Sequence, residues 1–196
     1  MEISSFLESH TLTSSEADRE TGSDAILAHR LSVVSLEELQ ARGGDPYEAV
    51  RRINETIGPM WEGFTKGIHE AYLKKETETE GVVVDFALNE SGQVVGYAFT
   101  RKQWQRLDAK NEVAYLSWLA VDQNKQYQGI GSLLLESTLA KVSSLGYKRL
   151  TLDARETSHP FYQQFAGKKY IKIELLEEGT FLDGGKRYQN SFPLKG

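Results

Sequence analysis

Cysteine is absent from these 196 residues. That absence excludes disulfides, thiolate metal sites and a cysteine nucleophile. It is compatible with the cytosol, and the polar, acidic start does not read as a signal or transit peptide, so a cytoplasmic location is expected. Long apolar runs are missing too. None approaches the ~18 residues a membrane helix needs, so no membrane partner is expected. No basic patch or stripe suggests nucleic acid. The formal net charge of −5 is confined to one region. Met1 to Asp24 holds six acidic residues (Glu2, Glu8, Glu16, Asp18, Glu20, Asp24) against Arg19, and the rest is balanced at 22 acidic and 22 basic. The Ser/Thr/Glu-rich residues 1–24 read as a flexible acidic tail, with one domain over 25–196. That length can bury a substantial core.

What is present is concentrated at Gln126-Tyr127-Gln128-Gly129-Ile130-Gly131. An apolar strand-like run, Val113 to Val121, leads into it, and a helix-like run, Ile130 to Leu145, leaves it. A glycine turn that opens a helix aims free backbone N–H groups at one point, and the helix end adds partial positive charge. That geometry suits phosphate or pyrophosphate. Side chains at 129 and 131 would block a ligand lying against the backbone. A dinucleotide fingerprint would need a further glycine where Leu134 stands, and a P-loop would need Gly-Lys-Ser/Thr where Gly131-Ser132-Leu133 stands. An ordinary tight strand-to-helix turn is the plain alternative.

The remaining pattern, Gln-x-x-Gly-x-Gly between strand and helix, resembles the main motif of the GNAT superfamily of acetyl-CoA-dependent N-acetyltransferases. Other segments fall in that family's order. Val82 to Leu88 and Gln93 to Thr100 read as strands around the turn Asn89-Glu90-Ser91-Gly92. Gly146 ends the helix, and Lys148 to Ala154 reads as the next strand. His159-Pro160-Phe161-Tyr162-Gln163-Gln164-Phe165 resembles the family's short Leu/Phe-Tyr-Glu-Lys-Leu-Gly-Phe helix, with Tyr162 on its Tyr. Departures are Tyr127, where many members have Gly, and Ala166-Gly167-Lys168-Lys169-Tyr170 in place of the Gly-Phe ending. The resemblance covers roughly 80–194.

Earlier in the chain, Ala28 to Val34 reads as the first strand. Ser35 caps one helix start, and Asp45-Pro46 opens another, with Tyr47, Val50, Ile53 and Ile57 at helical spacing. Met60 to Lys75 reads as a further helix and Lys74 to Glu80 as a charged loop. In the central strand, alternation places Val113, Tyr115, Leu119 and Val121 on one face and Ala114, Leu116, Trp118 and Ala120 on the other. Both faces are apolar, as in a central strand covered on both sides. Strand, helix and strand then give a parallel pair. Tyr170 to Leu175 and Lys186 to Leu194 complete the sheet, with a turn at Gly184-Gly185. The expected fold is a single α/β domain of GNAT type: a mixed, mostly antiparallel sheet with a central parallel pair splayed around acetyl-CoA, and helices on both faces.

The resemblance implies acetyl transfer from acetyl-CoA, a cosubstrate, to a primary amine of a small molecule or peptide, by direct attack in a ternary complex and without a metal. It assigns the pantetheine arm to the main chain of Leu119, Ala120 and Val121, and the pyrophosphate to Gln126, Tyr127, Gln128, Gly129, Ile130, Gly131 and Ser132. Exposed Lys125 adds weak attraction. Tyr162 falls where the family's Tyr protonates the leaving thiolate; packing with Phe161 and Phe165 is its plain alternative. The general base is open among Glu112, Tyr115, Ser117, Asp153 and His159, with Asp153 first choice because it flanks the cofactor strand. Tyr115 stands where some members carry a catalytic Glu. That gap motivates a second reading, a non-catalytic acyl-CoA-binding or regulatory domain; transfer of a longer acyl chain is a third. His10, His29 and His69 show no metal-ligand spacing. Glu62, Lys66 and Glu70 read as an exposed, ion-paired helix face, with attraction of a cationic amine by Glu62 or Glu70 as the alternative, and Trp61, Phe64, Tyr72 and Trp104 as core or acceptor pocket. A homodimer stays open.

Overall fold

The structure is a computed structural model that describes residues 31–57, 74–75, 82–102, 112–181 and 183–194. The candidate residues Trp61, Glu62, Phe64, Lys66, Glu70, Tyr72 and Trp104, the three early histidines and residues 1–24 lie outside this set. Lys74 and Lys75 are helical rather than the start of a loop.

Local sequence signals fix the first elements. β1 (Ser32–Ser35) runs into α1 (Leu36–Ala41) through a capping box. The Ser35 hydroxyl accepts from the Glu38 N–H at 3.2 Å, and the Glu38 carboxylate accepts from the Ser35 N–H at 2.8 Å, satisfying two helix-end donors reciprocally. Asp45 accepts from Tyr47 and Glu48 N–H at 2.9 and 3.1 Å to start α2 (Pro46–Ile57). β2 (Val83–Leu88) and β3 (Val94–Lys102) form a hairpin whose turn is held by the Asn89 side chain and by Gly92 at φ +77°. β4 (Val113–Val121), α3 (Ile130–Ser144), β5 (Arg149–Arg155), α4 (His159–Lys169), β6 (Glu174–Thr180) and β7 (Lys186–Pro193) follow.

The strands form one sheet in the order β1-β2-β3-β4-β5-β7-β6. Only β4–β5 is parallel. A parallel pair needs a long crossover, and α3 supplies it. α3 and α4 cover one face, where Leu134, Leu135, Val142, Leu150, Leu152, Phe165 and Phe192 are buried together. α1 and α2 cover the other face over β1 to β4, around Ile53, Phe86, Tyr97 and Phe99. Full burial of each such side chain contributes roughly 1.5–3 kcal/mol.

Two expectations need correction. The sixth strand is Glu174–Thr180, not Tyr170 to Leu175. Tyr170 instead ends α4 in the left-handed region at φ +53°, so that helix runs on through Lys169. The alternation along β4 also departs from strict period 2, at Ser117.

Candidate active site at the fork between two parallel strands

β4 and β5 are paired only from Val113↔Arg149 to Leu116↔Leu152. Beyond that rung β4 continues to Val121 and β5 to Arg155 without pairing to each other, so the sheet opens as a fork. A bulge stands at the fork point. Trp118 is opposite Phe99 and Leu116 is opposite Thr100, which leaves Ser117 without a register partner on β3. A bulge bends its strand and increases the twist, and here it turns β4 away from β5.

The bulge also resets the alternation. Ala114 and Leu116 belong to the core under α3 and α4, and so do Leu119 and Val121. Trp118 and Ala120 pack into the opposite core. The strict period-2 assignment therefore fails at Ser117, because one extra residue exchanges the two faces downstream. From Ser117 to Val121, β4 has no described strand partner on its β5 side.

The chain leaves β4 through a one-turn 3₁₀ segment, Gln123–Lys125, capped by Asp122, whose carboxylate accepts from Asn124 N–H at 2.9 Å. The Gln123 N–H donates to the Thr56 hydroxyl at 3.1 Å, which ties this turn to α2. Gln126, Tyr127, Gln128 and Gly129 are exposed, Ile130 is buried, and Gly131 and Ser132 are half-buried. Gly129 is the N-cap of α3, at φ +78° and with no side-chain cap. The first intrahelical bond is Leu133 N–H to Gly129 C=O at 3.0 Å. The N–H groups of Ile130, Gly131 and Ser132 thus have no intrahelical acceptor. Such an end suits an anion.

The two glycines have different reasons. At Gly129 a Cβ would meet nothing within 4 Å, so the backbone angle is what requires glycine. At Gly131 a Cβ would stand 3.3 Å from Phe161 Cζ. What that side chain would disturb first is the approach of α4. Tyr127 reaches the left-handed region as well, at φ +62°, with its ring fully exposed.

α4 starts with Pro160 in its first turn. Tyr162 is buried against Phe161, ring centroids 5.0 Å apart in an edge-on arrangement. Burial pushes the Tyr162 phenol above its ordinary pKa, so it stays protonated through neutral pH. Both the acid reading and the packing reading are compatible with this placement.

Of the five candidate bases, three meet at the fork. Tyr115 OH donates to Asp153 Oδ2 at 3.0 Å. Burial first, and the Asp153 charge second, raise the Tyr115 pKa, so Tyr115 remains a donor. Asp153 is the first β5 residue beyond the last rung, and Ser117 is the first such residue on β4. Ser117 Oγ and Asp153 Oδ1 are both buried without a hydrogen-bond partner. Glu112 lies at the other end of β4, where its carbonyl accepts from Lys148 N–H at 2.7 Å.

His159 is occupied on β7. Its ring stacks on Tyr188 at 4.3 Å, and its Nδ1 is 3.3 Å from Asn190 Nδ2. That same amide nitrogen donates to the Tyr188 carbonyl at 2.9 Å. On its other side, His159 Nε2 lies 3.4 Å from Gln163 Nε2, so both ring nitrogens are engaged by side-chain amides. Arg101 and Arg187 went unnoticed in the sequence. The Arg101 guanidinium carbon is 5.6 Å from the Tyr115 ring centroid, and Arg187 Nη1 is 3.7 Å from Asp153 Oδ1. Nothing local in the sequence marks either contact. Among the described residues, no group of three or more His, Cys, Asp or Glu could hold a metal ion, and no helix is long and apolar enough to cross a membrane.

A model of the acetyltransferase (GNAT) family matches residues 47–167. Solved structures share the fold. A ribosomal-protein-S18-alanine N-acetyltransferase from Escherichia coli aligns with a TM-score of 0.61 at 17% identity, over 85% of this chain and 95% of that one. An N-acetyltransferase from Staphylococcus aureus Mu50 aligns at 0.64 and 16%, over 84% and 99%. The yncA protein of Salmonella typhimurium, solved with its cofactor acetyl-CoA, aligns at 0.64 and 12%, over 85% and 95%. A search of curated proteins returns no match.

Proposed function

Because the chain belongs to the acetyltransferase (GNAT) family, we propose that it moves the acetyl group of acetyl-CoA to a primary amine, by direct attack with both substrates bound. The observation that carries this reading is the fork: β4 parts from β5 beyond Leu116 and ends in an uncapped, glycine-led helix. The residues suit the cosubstrate. The free N–H groups of Ile130, Gly131 and Ser132 would hold the pyrophosphate, with the turn Gln126 to Gly129 around it. The unpaired side of Leu119 to Val121 would take the pantetheine arm as an added strand takes its neighbour. One of the backbone N–H groups there would polarise the thioester carbonyl.

The thioester supplies an activated acetyl group; the amine nitrogen bonds to its carbonyl carbon and a thiolate leaves. Asp153 receives the proton the ammonium must lose before attack. Tyr115 holds that carboxylate in place through its 3.0 Å hydrogen bond. Tyr162 protonates the departing thiolate, and the second proton, shed by the nitrogen as the amide forms, restores the phenol. Burial keeps its proton on, so the acid is loaded throughout the neutral range. Holding both reactants in line can supply several kcal/mol more.

The test is thiol release from acetyl-CoA over a panel of amines, paired with CoA affinity of Gly129→Asp, which sets a negative side chain beside the uncapped helix end. We expect turnover with at least one amine class, and strongly weakened CoA binding in the folded variant. Unchanged affinity would remove the cofactor assignment. Tight binding with no turnover on any amine would favour the regulatory, non-catalytic reading that the missing Glu at Tyr115 motivates.

A further inference from the structure

The sheet face opposite α3 and α4 is apolar over β1 to β3 but polar from Tyr115 outward. Its β5 and β7 residues (Arg149, Thr151, Asp153, Arg155; Arg187, Gln189, Ser191) belong to neither hydrophobic core. Charge here is arranged in pairs. Arg149 meets Glu174 at 2.7 Å, Arg155 meets Asp183 at 2.7 Å, and Arg187 meets Glu177 at 3.1 Å. Asp153 shares Arg187 with Glu177 and is the more weakly paired of the two, at 3.7 Å against 3.1 Å. One oxygen takes the Tyr115 hydroxyl, and the other is buried with no hydrogen bond. Arg187 Nη1 stands 3.7 Å from that oxygen, beyond hydrogen-bond reach. Arg187 carries its own open donor, a buried Nε–H without an acceptor. An open acceptor at the fork point and an open donor on β7, level with Arg155, therefore belong to neighbouring side chains.

Buried polar atoms left without partners are costly, so a site that leaves them open favours a ligand that completes them. We propose that the amine acceptor is a small zwitterion of the α-amino-acid type: its ammonium completes Asp153 Oδ1, and its neighbouring anionic group faces Arg187, with Arg101 adding positive potential over Tyr115. Arg187 Nη1 stands 3.7 Å from Asp153 Oδ1, so a ligand carrying an ammonium and a carboxylate on one carbon can reach both residues. A polyamine would instead bring a second ammonium against two guanidinium groups, and like charge opposes that. This inference rests on the acetyltransferase reading and names its substrate class.

The test compares thiol release by the full chain with free α-amino acids, the matching α-amino amides, a short peptide and spermidine, alongside CoA binding. The amino acids should exceed their amides in kcat/KM by about 10- to 100-fold, the scale of one charge-assisted hydrogen bond. Arg187→Gln should bring that ratio close to one, with folding checked by its melt and its CoA affinity. The wild-type ratio decides the matter even if that variant does not fold. Amides, the peptide or spermidine performing as well as the amino acids would overturn the zwitterion proposal and leave acetyl transfer standing. Absence of CoA binding would remove the acetyltransferase reading itself, and CoA binding with no acceptor at all would overturn both.

Discussion

Two aspartates on one sheet show how the same group becomes architecture or chemistry. Asp85 on β2 points under α3 and has no exposed side-chain surface. Lys141 pairs with one of its oxygens and Ser137 donates to the other at 3.1 Å. Asp153 on β5 keeps 18% of its side chain exposed and leaves one oxygen without a hydrogen bond. Asp153 is the less buried of the two, on the polar face of the sheet, but exposure is the smaller difference. What separates them is completion. Each Asp85 oxygen has a donor, whereas the Asp153 site is unfinished and stands where the strands part.

The largest expected effect comes from disabling the unfinished site. Asp153→Asn keeps the shape but loses the proton acceptor, and Tyr162→Phe loses one oxygen. Each should lower the maximal rate by on the order of 10²–10⁴-fold, the usual contribution of a positioned acid or base, while CoA affinity stays near wild type. Water can stand in partly, so residual activity is expected. A fully active Phe variant would return Tyr162 to packing, and a fully active Asn variant would end the case for Asp153. Burial holds the Tyr162 pKa above its ordinary value. Its deprotonation should therefore cause no loss of rate up to about pH 10.

The finished site should answer in stability instead. Lys141→Met leaves the Asp85 carboxylate buried with Ser137 alone; breaking a fully buried pair costs about 3–5 kcal/mol, and the partly exposed Lys141 ammonium places the loss at the lower end, about 3 kcal/mol. Urea unfolding would measure it. The double variant Lys141→Met with Asp85→Leu should recover most of the loss, since no uncompensated charge remains. Equal losses in the single and double variants would mean that packing of the Lys141 stem, not the charge, carries the effect.

How much of this contrast the sequence displayed depends on range. The Ser35 capping box, the Asp45 cap, the Asn89–Gly92 turn and the glycine turn before α3 all act within a few residues, and each was legible. Strand runs could be read wherever both faces are apolar, as in β4. The bulge at Ser117 could not, because register belongs to two strands and alternation in one chain does not count it; a small polar residue inside an apolar strand was the only hint. β6 was misplaced because the apolar residues Tyr170, Ile171 and Ile173 look more strand-like than the polar Glu174–Thr180. Pairing with β7 decides the matter, and Tyr170 is used to stop a helix. The Arg187–Asp153 contact joins β5 to β7 across α4 and β6, beyond any local signal. Asp85 and Asp153 themselves look alike in sequence, each a single acid between apolar neighbours.

The smallest effect sharpens the comparison through pH. Desolvation is the leading influence on Asp85 and raises its pKa above the ordinary 3.8, although Lys141 and Ser137 pull it down. A carboxyl whose folded pKa is raised contributes stability that is fully present below the unfolded value and is lost as pH rises through the folded one. Asp85→Asn does not titrate, so it should not show that loss. Lys141, 38% exposed, can turn its ammonium to water when the carboxylate is gone. The variant should therefore stay within about 1.5 kcal/mol of wild type, the net scale of a hydrogen bond. It should gain on wild type as pH rises from about 4, then run parallel to it. Unfolding curves from pH 3 to 8 would follow the gap. A gap that moves the other way, with wild type gaining as pH rises, would show that Lys141 and Ser137 outweigh burial, and that Asp85 is stabilised as a carboxylate rather than merely tolerated.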